Sequence, residues 1–219
     1  MHLNEIQEKI PQTLYDILSK EITELRPSQS KSIAAGALDG KNVLVCTPTA
    51  SGKTLIAEMV MLKNILEGRG KAVYIVPLKA LASEKYKDFQ QKYGNDIKIA
   101  LSIGDMDKSD TYLADYDLIF VTAEKLDSLI RHHASWISSI ATIVVDEVHL
   151  LNDAGRGPTL EILLTILRKI SKAQTVALSA TIGNPTELAT WLEADLVEDT
   201  WRPVELKKGI YMDGKVNFY

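Results

Sequence analysis

Val43-Leu44-Val45-Cys46-Thr47-Pro48-Thr49-Ala50-Ser51-Gly52-Lys53-Thr54 passes from an apolar run, through a loop of small residues, into a helical stripe made by Leu55, Met59, Leu62, Ile65 and Leu66. Val43 to Cys46 read as a strand buried on both faces, and the stripe that follows has the spacing of a core-facing helix. A strand that turns through small residues straight into a helix aims loop N–H groups and the positive end of the helix dipole at one point. That arrangement holds an anion, above all a phosphate group. Lys53 would set a point charge against the β and γ phosphates of a nucleotide, Thr54 would offer its hydroxyl to Mg²⁺, and Gly52 lets the backbone approach closely. Thr47 stands where the strict pattern G-x-x-x-x-G-K-[ST] has its first glycine, and Ala50 replaces another common one, so the loop departs from that pattern.

Outward from this loop, short β-branched runs recur, each followed by a helix-length segment: Asn42 to Cys46, Ala72 to Val76, Ile97 to Leu101, Leu118 to Val121, Thr142 to Val145 and Thr175 to Leu178. Their alternation with helices predicts an α/β chain with a mainly parallel sheet covered on both sides, a three-layer fold. Pro11 and Pro27 sit where a first helical turn tolerates a missing N–H, which predicts helices near residues 11–21 and 27–38 ahead of the first strand. After Trp191 the pattern changes to strand-like pieces, Val204 to Lys207 and Ile210 to Met212, with Asp213-Gly214 as a turn. The expected organisation is N-terminal helices over 1–40, an α/β nucleotide-binding domain over 41–200 and a short β extension over 201–219.

Ile143-Val144-Val145-Asp146-Glu147 places two carboxylates at the carboxyl end of a buried strand. A phosphate-loop enzyme holds its metal at such a position, and ATP with Mg²⁺ is the pair of ligands the two segments imply together. Asp146 is the candidate metal residue, through water, and Glu147 the candidate to polarise an attacking water. Alone, the pair would equally serve as negative charge against the next helix dipole. His149 alone reads as packing or capping.

The chain has 219 residues, 46% of them hydrophobic, with formal net charge -4. It can bury a full core, and its acidity excludes a general basic coat for polyanions, so any nucleic-acid contact is local. The single cysteine, Cys46, excludes an internal disulfide and reads as an inert buried thiol in a reducing compartment. No basic start followed by an apolar run and no membrane-length stretch is found, so a cytoplasmic protein without membrane attachment is expected.

Asp146-Glu147-Val148-His149, Thr49-Ala50-Ser51-Gly52-Lys53-Thr54 and Ser179-Ala180-Thr181 resemble, in order, motifs II, I and III of the superfamily two DExH-box helicases. Pro77-Leu78-Lys79-Ala80-Leu81 is similar to motif Ia, Thr122-Ala123-Glu124-Lys125 to motif Ib, and Gln29 after Leu25-Arg26-Pro27 to the adenine-reading Q motif. Longer stretches, Ile75 to Tyr86, Thr122 to Trp136, Arg156 to Glu161 and Trp201-Arg202-Pro203, resemble the Ski-two-like branch, most of all the archaeal Hjm-type DNA helicases. Those are relatives of helicase Q and of the polymerase theta helicase domain.

The resemblance implies a RecA-like P-loop NTPase domain that drives a 3′ to 5′ DNA helicase on forked or branched DNA in repair and recombination. It implies Pro77, Lys79, Thr122 and Lys125 as contacts to nucleic acid, and His149, Ser179 and Thr181 as the link between nucleotide state and strand grip. Motifs IV to VI, with an arginine finger, belong in that family to a second RecA-like domain. The chain is therefore expected to be a truncated, monomeric half that binds ATP and hydrolyses it poorly alone. On residue type, Thr122 is equally a helix cap and the lysines equally solvated surface. Arg131, His132 and His133 read as a solvated cluster, Trp136 and Trp201 as packing residues. An RNA helicase of the exosome-cofactor type and a nucleotide-gated binding module stay open as alternatives. A small-molecule kinase would leave Pro77 to Leu81 and Ser179 to Thr181 without a shared purpose.

Overall fold

The computed structural model describes residues 1–104, 110–205, 207–212 and 214–218. Seven strands build one sheet: β1 (Val43–Cys46), β2 (Lys71–Ile75), β3 (Ile99–Ser102), β4 (Leu118–Val121), β5 (Ile140–Val145), β6 (Gln174–Ser179) and β7 (Asp195–Glu198). Their spatial order is β3-β4-β2-β5-β6-β1-β7, and every neighbouring pair is parallel. The helices are α1 (Gln12–Leu18), α2 (Pro27–Ala34), α3 (Thr54–Leu66), α4 (Lys79–Tyr93), α5 (Ala123–Arg131), α6 (Gly157–Ile170) and α7 (Pro185–Leu192).

Side chains alternate between the two faces of a strand, and here the two faces fill separate cores. Val43, Val45, Tyr74, Phe120 and Val144 pack with α3, α4 and the N-terminal helices. Leu44, Val73, Ile75, Val121 and Val145 pack with α5, α6 and α7. This is the three-layer α/β fold expected from the apolar runs. The N-terminal segment joins the first core through Leu3, Ile6, Leu14 and Leu18, all buried.

Several elements differ from the sequence reading: the helix expected over 11–21 spans only Gln12–Leu18. The helix expected over 27–38 ends at Ala34 because Gly36 takes a left-handed φ of 96°, and a 3-10 turn over Ala37–Asp39 follows. Strand β7 was not expected: of its residues only Val197 is buried, so it lacks the apolar run of a central strand. Val204 and Glu205, expected in a strand, are exposed and outside one, and Leu206 lies outside the described residues. The terminal hairpin instead pairs β8 (Gly209–Met212) with β9 (Lys215–Phe218). Gly214 turns it with φ 78°, while Asp213 lies outside the described residues.

Candidate functional site

Because all seven strands run the same way, the segments after β4, β2, β5, β6 and β1 emerge side by side at one edge. Their ladder continues past the strands: Val76 N–H donates to Val121 O (2.9 Å), Asp146 N–H to Ile75 O (2.9 Å) and Thr47 N–H to Ser179 O (3.2 Å). The candidate motifs are thus fixed to one another by backbone, in the order Thr122, Pro77, Asp146, Ala180, Thr47 across the edge.

In the loop after β1, Ala50 and Gly52 both take positive φ, 65° and 89°. The left-handed conformation costs alanine roughly 1–2 kcal/mol, and such outliers collect where a loop must hold a ligand. Thr47 and Ser51 hydroxyls bond each other at 2.7 Å, both buried. That bond stabilises the turn at the position where the strict motif has glycine. Lys53 follows at the head of α3 with its side chain 11% exposed. Its Nζ lies 3.4 Å from Glu147 Oε1 and finds no hydrogen-bond acceptor among the described residues. A buried ammonium held by one carboxylate at that distance has donors to offer an anion.

Asp146 is buried at the end of β5. Its Oδ2 accepts from the Tyr74 hydroxyl (3.1 Å), its Oδ1 from Glu147 N–H (3.0 Å), and Lys85 Nζ approaches Oδ2 to 3.4 Å. Burial, reinforced by this carboxylate, raises the Tyr74 hydroxyl well above its ordinary pKa, so it stays a donor. The same Lys85 ammonium is 3.5 Å from Thr54 Oγ1. Thr54 and Asp146, from the two motifs, therefore share one cation, as a metal-holding pair would. Among the described residues no group of three or more His, Cys, Asp and Glu forms a metal cage. The pair suits Mg²⁺, which takes one or two protein oxygens and completes its shell with phosphate and water.

Glu147 adopts a left-handed φ of 51°, which turns its carboxylate back between Lys53 and His149, each 3.4 Å away. His149 Nδ1 also lies 3.4 Å from Ala180 N. Because Nδ1 accepts from that N–H only when unprotonated, it serves either Ala180 or Glu147 at one time. This joins the acidic pair to the segment Ser179-Ala180-Thr181. Ser179 is fully buried and Thr181 exposed.

The 3-10 segment Val148–Asn152 that carries His149 rests on the start of α6. A Cβ on Gly157 would sit 2.1 Å from Leu151 O. Gly157→Ala is expected to destabilise the domain by about 1–3 kcal/mol, the usual cost of overpacking, measurable as a lower urea midpoint with unchanged slope.

Lys79 and Pro77 lie at the open edge, Lys79 exposed and Pro77 half-buried. Thr122 is buried and its hydroxyl accepts from Lys125 N–H at 3.4 Å, capping α5, the simpler of its two readings. Lys125 departs from expectation. It is 1% exposed, and its ammonium is 2.9 Å from Asp110 Oδ2, which also accepts from Ser102 Oγ. A lysine this deep persists only with a partner, and here its ammonium turns inward to Asp110, away from the open edge.

Gln29 is buried beside the loop that follows β1. Its Nε2 donates to Gly52 O (2.9 Å) and its Oε1 accepts from Arg26 N–H (2.8 Å). It borders an open cleft of about 390 Å³ lined also by Ile22, Thr23, Arg26 and Leu55, so an adenine contact there would use its remaining N–H and lone pair. A larger cavity, about 790 Å³, lies at the opposite sheet edge near Asn42, Arg69, Arg168 and Gln174, away from every motif. Sequence reasoning missed Tyr74, Lys85 and Arg26. Tyr74 sits inside an apolar strand and Lys85 inside a helix, with no motif to mark them. Arg26 donates to Ala50 O at 2.8 Å and lies over the Trp201 ring at 5.5 Å. Trp201 is thus a half-exposed stacking partner, while Trp136 is buried as read.

Several known proteins are similar to this chain in sequence or fold. The chain is 56% identical over 204 residues to the ATP-dependent DNA helicase Hel308 of Methanocaldococcus jannaschii, covering 90% of this chain and 17% of that protein. It is 49% identical over 211 residues to the Pyrococcus abyssi protein of the same name, covering 96% and 29% respectively. The chain therefore spans less than a third of the length of these relatives. A crystal structure of the DUF1998 helicase MrfA bound to DNA and AMPPNP matches with TM-score 0.76 at 28% identity, over 88% of this chain and 30% of that one. The family model for DEAD/DEAH box helicases matches residues 26–188, and the chain belongs to that family.

Proposed function

We propose that this chain is the ATP-loading half of an ATP-dependent DNA helicase. In this reading residues 41–200 are the first RecA-like motor domain, 1–40 a helical elaboration bearing Gln29, and 201–219 the start of a path toward a second RecA-like domain. The observation that carries it is the buried Lys53 ammonium at the head of α3, facing Glu147 and without a hydrogen-bond acceptor among the described residues. The terminal phosphates of ATP are the acceptors it lacks.

Lys53 and the loop N–H groups bind the β and γ phosphates. Thr54, and Asp146 through water, would hold Mg²⁺, which when bound neutralises phosphate charge. Glu147 orients the attacking water and accepts its proton, positioned by Lys53. His149 passes a displacement of Glu147 to Ala180, and so to Ser179 and Thr181. Pro77, Lys79 and the backbone after Thr122 meet successive phosphates of one strand, which grips without reading bases. Lys125 supports that surface from inside.

DNA is favoured over RNA because the Hel308 relatives carry the name DNA helicase and the MrfA structure holds DNA. In this reading the motor moves 3′ to 5′ as a monomer in the cytoplasm, on forked or branched DNA in repair and recombination. The test is ATP hydrolysis by a protein that carries this domain together with a second RecA-like domain. Single-stranded DNA is expected to stimulate turnover more than RNA of the same sequence, and forks with a 3′ tail to be unwound in preference to those with a 5′ tail. Equal or greater stimulation by RNA would overturn the DNA assignment.

A further inference from the structure

Lys85 belongs to no motif, yet its ammonium touches both halves of the ATP site. It is 3.5 Å from Thr54 Oγ1, 3.4 Å from Asp146 Oδ2 and 5.4 Å from the centroid of the Tyr74 ring. Tyr74 in turn donates to the same Asp146 oxygen. The ammonium is therefore seated by a hydroxyl, a carboxylate and an aromatic face, and its side chain, 21% exposed, keeps a route outward. Two cations cannot share these two oxygens at such distances without strong repulsion.

We infer that Lys85 is a tethered cation that competes with the divalent metal for Thr54 and Asp146; this rests on the reading of those two residues as the metal-holding pair. Without metal, Lys85 supplies the positive charge that bound phosphate needs. With metal, it swings out. Lys85 is then a positioning residue, and because it rides on α4, which begins at Lys79 on the strand-facing edge, its displacement ties metal loading to that helix.

The two states make opposite demands on one side chain, which gives a crossed test. ADP affinity of the chain is measured calorimetrically in EDTA and in Mg²⁺, and the ratio of the two affinities is the readout. Lys85→Met and Lys85→Gln, checked for folding by circular dichroism, are expected to bind ADP more weakly in EDTA and at least as tightly in Mg²⁺. The metal dependence rises by about tenfold, the scale on which one neighbouring charge shifts an ionic equilibrium. Lys87→Met, an exposed lysine of the same helix, is expected to leave the ratio at its wild-type value.

A purely structural role, or a phosphate contact kept alongside the metal, would weaken ADP equally in both conditions. An unchanged ratio would thus overturn the inference. Asp146→Asn separates this from failure of the site itself: it should abolish most of the metal dependence. If it leaves the wild-type ratio intact, the metal lies elsewhere, and the assignment of Thr54 and Asp146 falls independently of Lys85.

Discussion

Lys53→Ala is expected to lower ATP affinity by about a hundredfold or more, because a charge-assisted hydrogen bond contributes roughly 1.5–3 kcal/mol and this ammonium can make several to phosphate oxygens. Equilibrium binding of a fluorescent ATP analogue measures the loss. The expected effect on stability has the opposite sign. Lys53 is buried with, among the described residues, a single carboxylate 3.4 Å away, and an ammonium so placed is a cost of folding that binding recovers. Lys53→Met, which keeps the apolar stem, should therefore melt at or above the wild-type temperature while losing nucleotide. Equal ATP affinity in Lys53→Ala and wild type would remove the phosphate site from this loop.

Glu147→Gln is expected to keep ATP affinity within a few-fold and to lower the hydrolysis rate by about 10²–10⁴, the usual contribution of a positioned general base. The amide preserves size and suits the left-handed backbone at this position, φ 51°, no worse than the carboxylate does. It cannot take a proton from water. Single-turnover hydrolysis of radiolabelled ATP, in the same longer protein, separates the chemical step from binding. A variant that hydrolyses at the wild-type rate would transfer the role of base to another residue.

The sheet was legible because buried parallel strands are continuous apolar runs, and Val43–Cys46 and Leu118–Val121 carry nothing else. Edge strand β7 was not, since Asp195 and Glu198 face solvent and break the signal. The two segments proposed to bind ATP could be picked out from spacing, because strand, turn and helix order are local. The contacts between them could not. Tyr74, Lys85 and Asp146 meet only through the pairing of β2 with β5 and the packing of α4 beside them. Lys125 shows the reverse case: as a residue type it suits a phosphate, and only the fold reveals that its ammonium is buried against the partly buried Asp110.

A crystal structure of the chain grown with AMPPNP and Mn²⁺, with the metal located by anomalous scattering, measures the phosphate and metal positions together. The γ phosphate should lie within hydrogen-bond distance of Lys53 Nζ, with the manganese peak between Thr54 and Asp146 and Lys85 displaced from both. Nucleotide bound instead in the cavity by Arg69 and Arg168, at the far edge of the sheet, would contradict the assignment on which every proposed role here depends.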